Sequence, residues 1–123
     1  MNELAQEIGM TNTRIADTTG ASEENVSTAQ DLLLLAQHFM REYPDILALT
    51  KVRGEHGAIP DLQNYNHYAD DLQFLGGKTG KTRAARETML AIFLEEETPT
   101  GVRVYVVLGS NDAKGVVDVL RGW

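Results

Sequence analysis

The basic residues of this acidic chain gather where glycines would let a ligand come close to the backbone. Lys78, Lys81, Arg83 and Arg86 put four of the eleven basic side chains within nine positions, and no acid lies between Asp71 and Glu87. Gly76, Gly77 and Gly80 run through the same stretch. Without a Cβ they allow main-chain N–H groups to approach an anion, so an anion-binding strand or loop is expected here. The composition fits a solvated edge strand equally well, because lysines keep one sheet edge from pairing with another. Other chemistry-bearing residues are scattered. His38, His56 and His67 lie in unrelated contexts without metal-ligand spacing, so structural or surface roles are expected, with no metal or organic cofactor. The chain has no cysteine, which excludes thiolate nucleophiles, zinc–thiolate sites and disulfides. Its serines are Ser22, Ser27 and Ser110, and none is followed by lysine three positions later.

The elements that must position the basic cluster follow from periodicity. Leu4, Ala5 and Ile8 share one face of a short helix that stops at Gly9. Thr11 to Val26 is polar and aperiodic and is expected to be a connecting loop. Ser27 with Gln30 fits a capping box opening a helix, in which Ala29, Leu32, Leu33, Leu35, Ala36, Phe39 and Met40 recur at helical spacing up to Pro44. Leu33 and Leu34 widen that stripe, which suggests a helix packed between layers. Pro44 to Thr50 suits one more short helix, and Lys51 to Leu72 is irregular. Thr88 to Leu94 is apolar on both faces, as in a central strand, and Val102 to Leu108 is a further strand. Ser110 or Asn111 can cap a final helix whose stripe is Ala113, Val116, Val117 and Leu120, with Trp123 packing beneath it. Helices, then an antiparallel hairpin, then a helix make an α+β fold with a small sheet against helices.

Length and charge narrow the function. At 123 residues the chain is one domain, 1–123, and its net charge of −7 makes nucleic acid an unsuitable partner. The N-terminus has two acids and no basic flank or apolar core, so no signal peptide is expected in this chain. A phosphate-binding loop is one reading of Gly80-Lys81-Thr82, but its first glycine belongs at position 75, which is Leu75, and Gly76 leaves the loop one residue short.

The other reading takes Lys78-Thr79-Gly80 itself. Gly77-Lys78-Thr79-Gly80-Lys81-Thr82 followed by Ala84-Ala85 resembles the G-K-T-G-x-T-x-x-A run of D-alanyl-D-alanine carboxypeptidases, in the penicillin-binding protein and serine β-lactamase-like group. Asn64-Tyr65-Asn66 resembles the N-T-N element that precedes it there. Met1-Asn2 through Gly9-Met10-Thr11-Asn12-Thr13 is similar to that family's M-N-x-x-A-x-x-x-G-M-x-x-T stretch, and Ser27-Thr28-Ala29-x-Asp31 to its S-T-A-x-D helix start. Four segments in the family's order cover most of the chain.

The resemblance implies the C-terminal part of a β-lactamase/transpeptidase-like fold, its K-T-G strand and hairpin packed against helices. It also implies roles. Lys78 supplies positive potential to the substrate carboxylate and the catalytic hydroxyl, Thr79 bonds that carboxylate, and Gly80 leaves room for the peptide. The backbone N–H of Lys81 is one of two oxyanion donors. Thr82 and Arg86 join the substrate-binding set, Arg86 standing where the family usually has glycine. The implied partners are a peptidoglycan stem peptide ending in D-Ala-D-Ala, and β-lactams, outside the cytoplasmic membrane. The family's S-x-x-K and S-x-N elements are absent from this chain. It is therefore expected to be inert alone, completed by an N-terminal part of the domain, or else to be a non-catalytic peptide-binding or structural module of the same descent. A sheet without the family's N-terminal strands leaves an edge or face through which two copies could pair.

Overall fold

The computed structural model describes residues 1–52 and 63–122. His56 and Trp123 lie outside them. Along the chain run α1 (Asn2–Glu7), α2 (Ala29–Glu42), α3 (Pro44–Leu49), β1 (Phe74–Thr82), β2 (Arg86–Leu94), β3 (Val102–Ser110) and α4 (Ala113–Arg121). The strands form one antiparallel sheet in the order β1-β2-β3, so the strand that is apolar on both faces is the central one. Met89, Ala91 and Phe93 point to one face, against Tyr68, Phe74, Tyr105, Val107 and α4 residues Ala113 and Val117. Leu90 and Ile92 point to the other, toward the helices at the N-terminus of the chain.

Phe93 is the hub of the α4-side core. Its ring centroid lies 5.1 Å from that of Tyr68, 5.3 Å from Phe74 and 5.8 Å from Tyr105. Each such pair contributes about 1 kcal/mol beyond the area it buries. The Arg121 guanidinium stacks 3.8 Å from the Phe93 centroid while its Nη1 bonds Asp71 at 2.7 Å. The Tyr68 hydroxyl donates to Asp118 Oδ1 at 2.7 Å, and burial together with that carboxylate raises its pKa. α4 is thus locked to the segment before β1.

The two N-terminal motifs meet at one carboxylate. Asp31, 2 % exposed, accepts from the Asn12 backbone N–H at 2.9 Å and from the Thr13 hydroxyl at 2.7 Å, both on Oδ2. Gly9, at φ +88°, provides the turn out of α1 that brings Asn12 and Thr13 there. In the connecting loop Asp17 accepts from the Gly20 and Ser22 amides and the Asn25 side chain.

Four expectations change. The cap of α2 is Thr28, whose side chain accepts from the Asp31 N–H, because Ser27 turns instead to Thr13, 2.8 Å between hydroxyl oxygens. The cap of α4 is Asp112, bonded to Gly115 N–H, and not Ser110, which β3 retains, or Asn111. Val116 is exposed, leaving Ala113 and Val117 as the buried stripe with Leu120 packed on it. The leucines of α2 are half-buried, with only Asp31 and Ala36 fully buried, so among the described residues α2 covers one sheet face and is not enclosed between layers.

The hairpin turn holds the one non-glycine residue with positive φ among those described, Arg86 at φ +57°. A Cβ in this left-handed region costs about 1 kcal/mol or more. Arg86→Gly should therefore raise stability by about 1 kcal/mol, read as a higher urea midpoint. Asp31→Ala should lower it by about 2–3 kcal/mol, since two donors lose a charged acceptor in a buried setting.

Candidate functional site

Lys78, Thr79, Gly80, Lys81 and Thr82 all lie on β1, which runs directly into the hairpin turn. No helix begins after Thr82, so the phosphate-binding-loop reading fails on structure as well as spacing. Among the described residues β1 borders only β2, and its geometry sorts the main-chain groups. The Gly77 N–H donates to Thr50 Oγ1 at 2.8 Å, away from β2. Main-chain groups alternate sides with each residue of a strand, so Thr79 and Lys81 share Gly77's direction, while Lys78 and Gly80 face β2. The contacts agree. Thr79 O accepts from the Lys78 ammonium, and Gly80 O from the Thr88 hydroxyl at 3.4 Å. Among the described residues β1 therefore offers an open edge carrying the N–H groups of Thr79 and Lys81, closed at Gly77 by Thr50.

The side chains sort by the same alternation. Lys78, paired with Leu90, and Gly80, paired with Thr88, share a sheet face with Thr82. Thr79 and Lys81 point to the α4 face. Lys78 stands between two hollows. On its sheet face lies an apolar cavity of about 490 Å³ walled by residues including Leu4, Leu35, Phe39, Leu90 and Ile92. At the strand edge lies a cleft of about 270 Å³ that includes Leu49, Val52, Tyr65 and Thr79. A Cβ at Gly80 would come within 2.7 Å of Thr88 Oγ1, so a close cross-strand contact already asks for glycine there. Arg86 pairs with Thr82 at the hairpin end, four residues along the strand from Lys78, roughly 13 Å. The structure brings Lys78 to Lys81 together and leaves Arg86 apart.

Three further residues shape the site through contacts that depend on the register of β1. Gly76 lets α3 come down on β1, since a Cβ there would meet Leu47 O at 2.6 Å. That contact places Thr50 on the strand edge. Asn64 then ties the loop to α3, its Nδ2 donating to Thr50 O at 2.7 Å and its Oδ1 accepting from Asn66 N–H at 2.9 Å. The Asn66 Oδ1 accepts from Tyr68 N–H at 3.1 Å. The asparagines are thus loop staples, Tyr68 covers core, and Tyr65, 78 % exposed, stands at the cleft. Glu87 is the third. Its Oε1 accepts from Lys81 Nζ at 2.8 Å and its Oε2 from the Ala113 N–H at 3.1 Å, which joins β1 to the start of α4. Its position as the first acid after the basic run becomes informative only once the hairpin places Lys81 opposite it.

The family model described as D-alanyl-D-alanine carboxypeptidase matches residues 1–111. The chain belongs to this family of peptidoglycan peptidases. It is 32 % identical over 133 aligned positions to a D-alanyl-D-alanine endopeptidase of Escherichia coli, covering all of this chain and 42 % of that protein. A peptidoglycan synthesis regulatory factor from Streptococcus pneumoniae shares the fold with a TM-score of 0.74 and 22 % identity, over 98 % of this chain and 40 % of that one. A penicillin-binding protein homologue from Mycobacterium tuberculosis follows at a TM-score of 0.63 and 24 % identity, over 87 % and 41 %. The chain thus spans about two fifths of the length of these relatives. The α+β fold is that of part of a penicillin-binding protein. Among the described residues no helix is long and apolar enough to cross a membrane, and no group of three or more histidine or acidic residues could hold a metal ion.

The Lys81–Glu87 contact predicts a pH dependence. The Lys81 ammonium and the Ala113 N–H lower the Glu87 pKa below its ordinary 4.5, and Glu87 raises that of Lys81 above 10.5. The contribution of Glu87 is whole above pH 4.5 and is lost as pH falls through its depressed value; that of Lys81 is whole below 10.5 and is lost as pH rises through its elevated one. Glu87→Gln should lower the melting temperature at neutral pH, and its difference from the wild type should close on acidification. A difference that persists unchanged into strong acid contradicts this assignment.

Proposed function

We propose that this chain is the substrate-binding part of a serine-type D-Ala-D-Ala peptidase, acting as a carboxypeptidase in peptidoglycan maturation outside the cytoplasmic membrane. The observation that carries the reading is the open stretch of β1 at Thr79 and Lys81, beside Lys78 in the K-T-G order. An extended peptide adds to such an edge through main-chain hydrogen bonds. Lys78 and Thr79 take the terminal carboxylate. The Lys81 N–H donates to the carbonyl oxygen that becomes the oxyanion when a serine attacks, and Thr82 and Arg86 flank the upstream part of the peptide. Closure at Gly77 by Thr50 ends the edge just beyond the carboxylate position, which favours a chain terminus over a continuing chain.

The attacking serine, its lysine and the second serine come from polypeptide outside this sequence. The apolar cavity on the Lys78 face gives that polypeptide a place to pack. Alone, the chain forms no acyl-enzyme. A binding module without catalysis shares the edge but not the partner, and the two readings separate when the missing part is supplied.

Fluorescent penicillin should leave this chain unlabelled. With a polypeptide carrying S-x-x-K and S-x-N added, the label should fall on that polypeptide, and Lys78→Ala should slow labelling by about 100-fold. Labelling of a serine on this chain, or labelling indifferent to Lys78, contradicts the proposal.

A further inference from the structure

The basic run of the hairpin does not pair all of its charge within the chain. Lys81 is held by Glu87. Arg83 and Arg86 are exposed, and among the described residues neither makes an ion pair or a side-chain hydrogen bond. A net charge of −7 repels an anionic ligand at long range, so an anionic substrate depends on positive charge beside the strand that receives it.

Arg86 carries its charge on a strained backbone. Its φ of +57° suits glycine, and a residue with a Cβ adopts it only at an energetic cost. Strain of this kind clusters at ligand clamps and active sites. The turn itself makes no polar use of the side chain, which leaves a ligand as its partner.

Register fixes which part of a bound peptide Arg86 meets. A peptide lies antiparallel on β1 when its terminal carboxylate is at Lys78 and Thr79 and its upstream part is at the hairpin. The residue whose carbonyl accepts from the Lys81 N–H is then opposite Lys81, and the residue ahead of it is opposite Thr82. Thr82 is in turn opposite Arg86 on β2. Residues directly opposed across strands hold their side chains on one face, so the peptide residue, Thr82 and Arg86 stand in a row on the face that carries Lys78. The row spans two strand spacings, about 10 Å, which an extended arginine and an extended glutamate close between them over the short Thr82 side chain. Glu87 does not compete. It belongs to the opposite face, held there by Lys81 and the Ala113 N–H.

We propose that Arg86 selects peptides with a carboxylate on the residue immediately ahead of D-Ala-D-Ala. Lys78 and Arg86, roughly 13 Å apart along the hairpin, then match the separation of the terminal and side-chain carboxylates. Arg83 adds positive potential beside Thr82 but has no place in the row. This selectivity rests on β1 being the substrate strand.

Titration of acetyl-Glu-D-Ala-D-Ala and acetyl-Gln-D-Ala-D-Ala into the chain, followed by backbone amide shifts, tests it. Both peptides should shift Thr79 and Lys81, and the glutamate peptide should bind about three- to fivefold more tightly at low salt, the scale of an exposed ion pair. That ratio should fall toward one as salt rises. Arg86→Gln keeps a side chain on the strained backbone and removes the charge, so it should bring the ratio to one, whereas Arg86→Lys should keep most of it. Equal affinities with both peptides shifting β1 overturn the selectivity and leave the substrate strand standing. A preference that survives Arg86→Gln, or that only Arg83→Gln removes, also overturns it. Absence of shifts along β1 with either peptide overturns the selectivity and the substrate-strand reading together.

Discussion

One hydrogen bond sets the geometry of the site. The Gly77 N–H leaves the sheet to reach Thr50, and the alternation of a strand then commits every following residue of β1. Lys78 and Gly80 spend their main-chain groups on β2 and turn side chain or bare Cα toward the cavity face. Thr79 and Lys81 do the reverse. A shift of one residue would bury the Lys81 donor in the ladder and send the Lys78 side chain to the α4 core, so the K-T-G order works only in this register. Gly76 makes the bond reachable, because any side chain there would push α3 and Thr50 away.

The rest of the molecule holds that register from both faces. On one, the Asp31 carboxylate gathers the α1 exit loop onto α2, and α2 packs on α3, which bears on β1. On the other, the ring cluster around Phe93 and the Arg121 and Tyr68 contacts fix α4, whose first N–H, that of Ala113, reaches Glu87 and through it Lys81. The donor proposed for the oxyanion is thus tied at its side chain to the helix and remains open at its backbone.

Elements with a strong period were legible before the structure. The apolar run of β2 on both faces identified it as central, the alternation of β3 as its neighbour, and the leucine stripe as α2. Motif order alone pointed to the family, because four short segments recur along the chain in the family's order and at its offsets from Lys78. Caps were misread by one position at α2 and by one or two at α4, since several adjacent Ser, Thr, Asn and Asp side chains compete for the same N–H groups and only the turn geometry decides among them. The helix α2 was expected between layers because its sequence is apolar on more than one side, and sequence does not say which polypeptide supplies the second layer. Thr50 and Glu87 were invisible for a related reason: each acts at a distance of many residues, through a register that no local pattern encodes.

Amide hydrogen exchange along β1, with and without a peptide ending in D-Ala-D-Ala, tests the central claim most directly. The account predicts slow exchange at Lys78 and Gly80 and fast exchange at Thr79 and Lys81 in the free protein, with the peptide slowing only the latter pair. Protection of the Lys81 amide in the free chain, or a peptide that leaves the Thr79 and Lys81 rates unchanged, would contradict it.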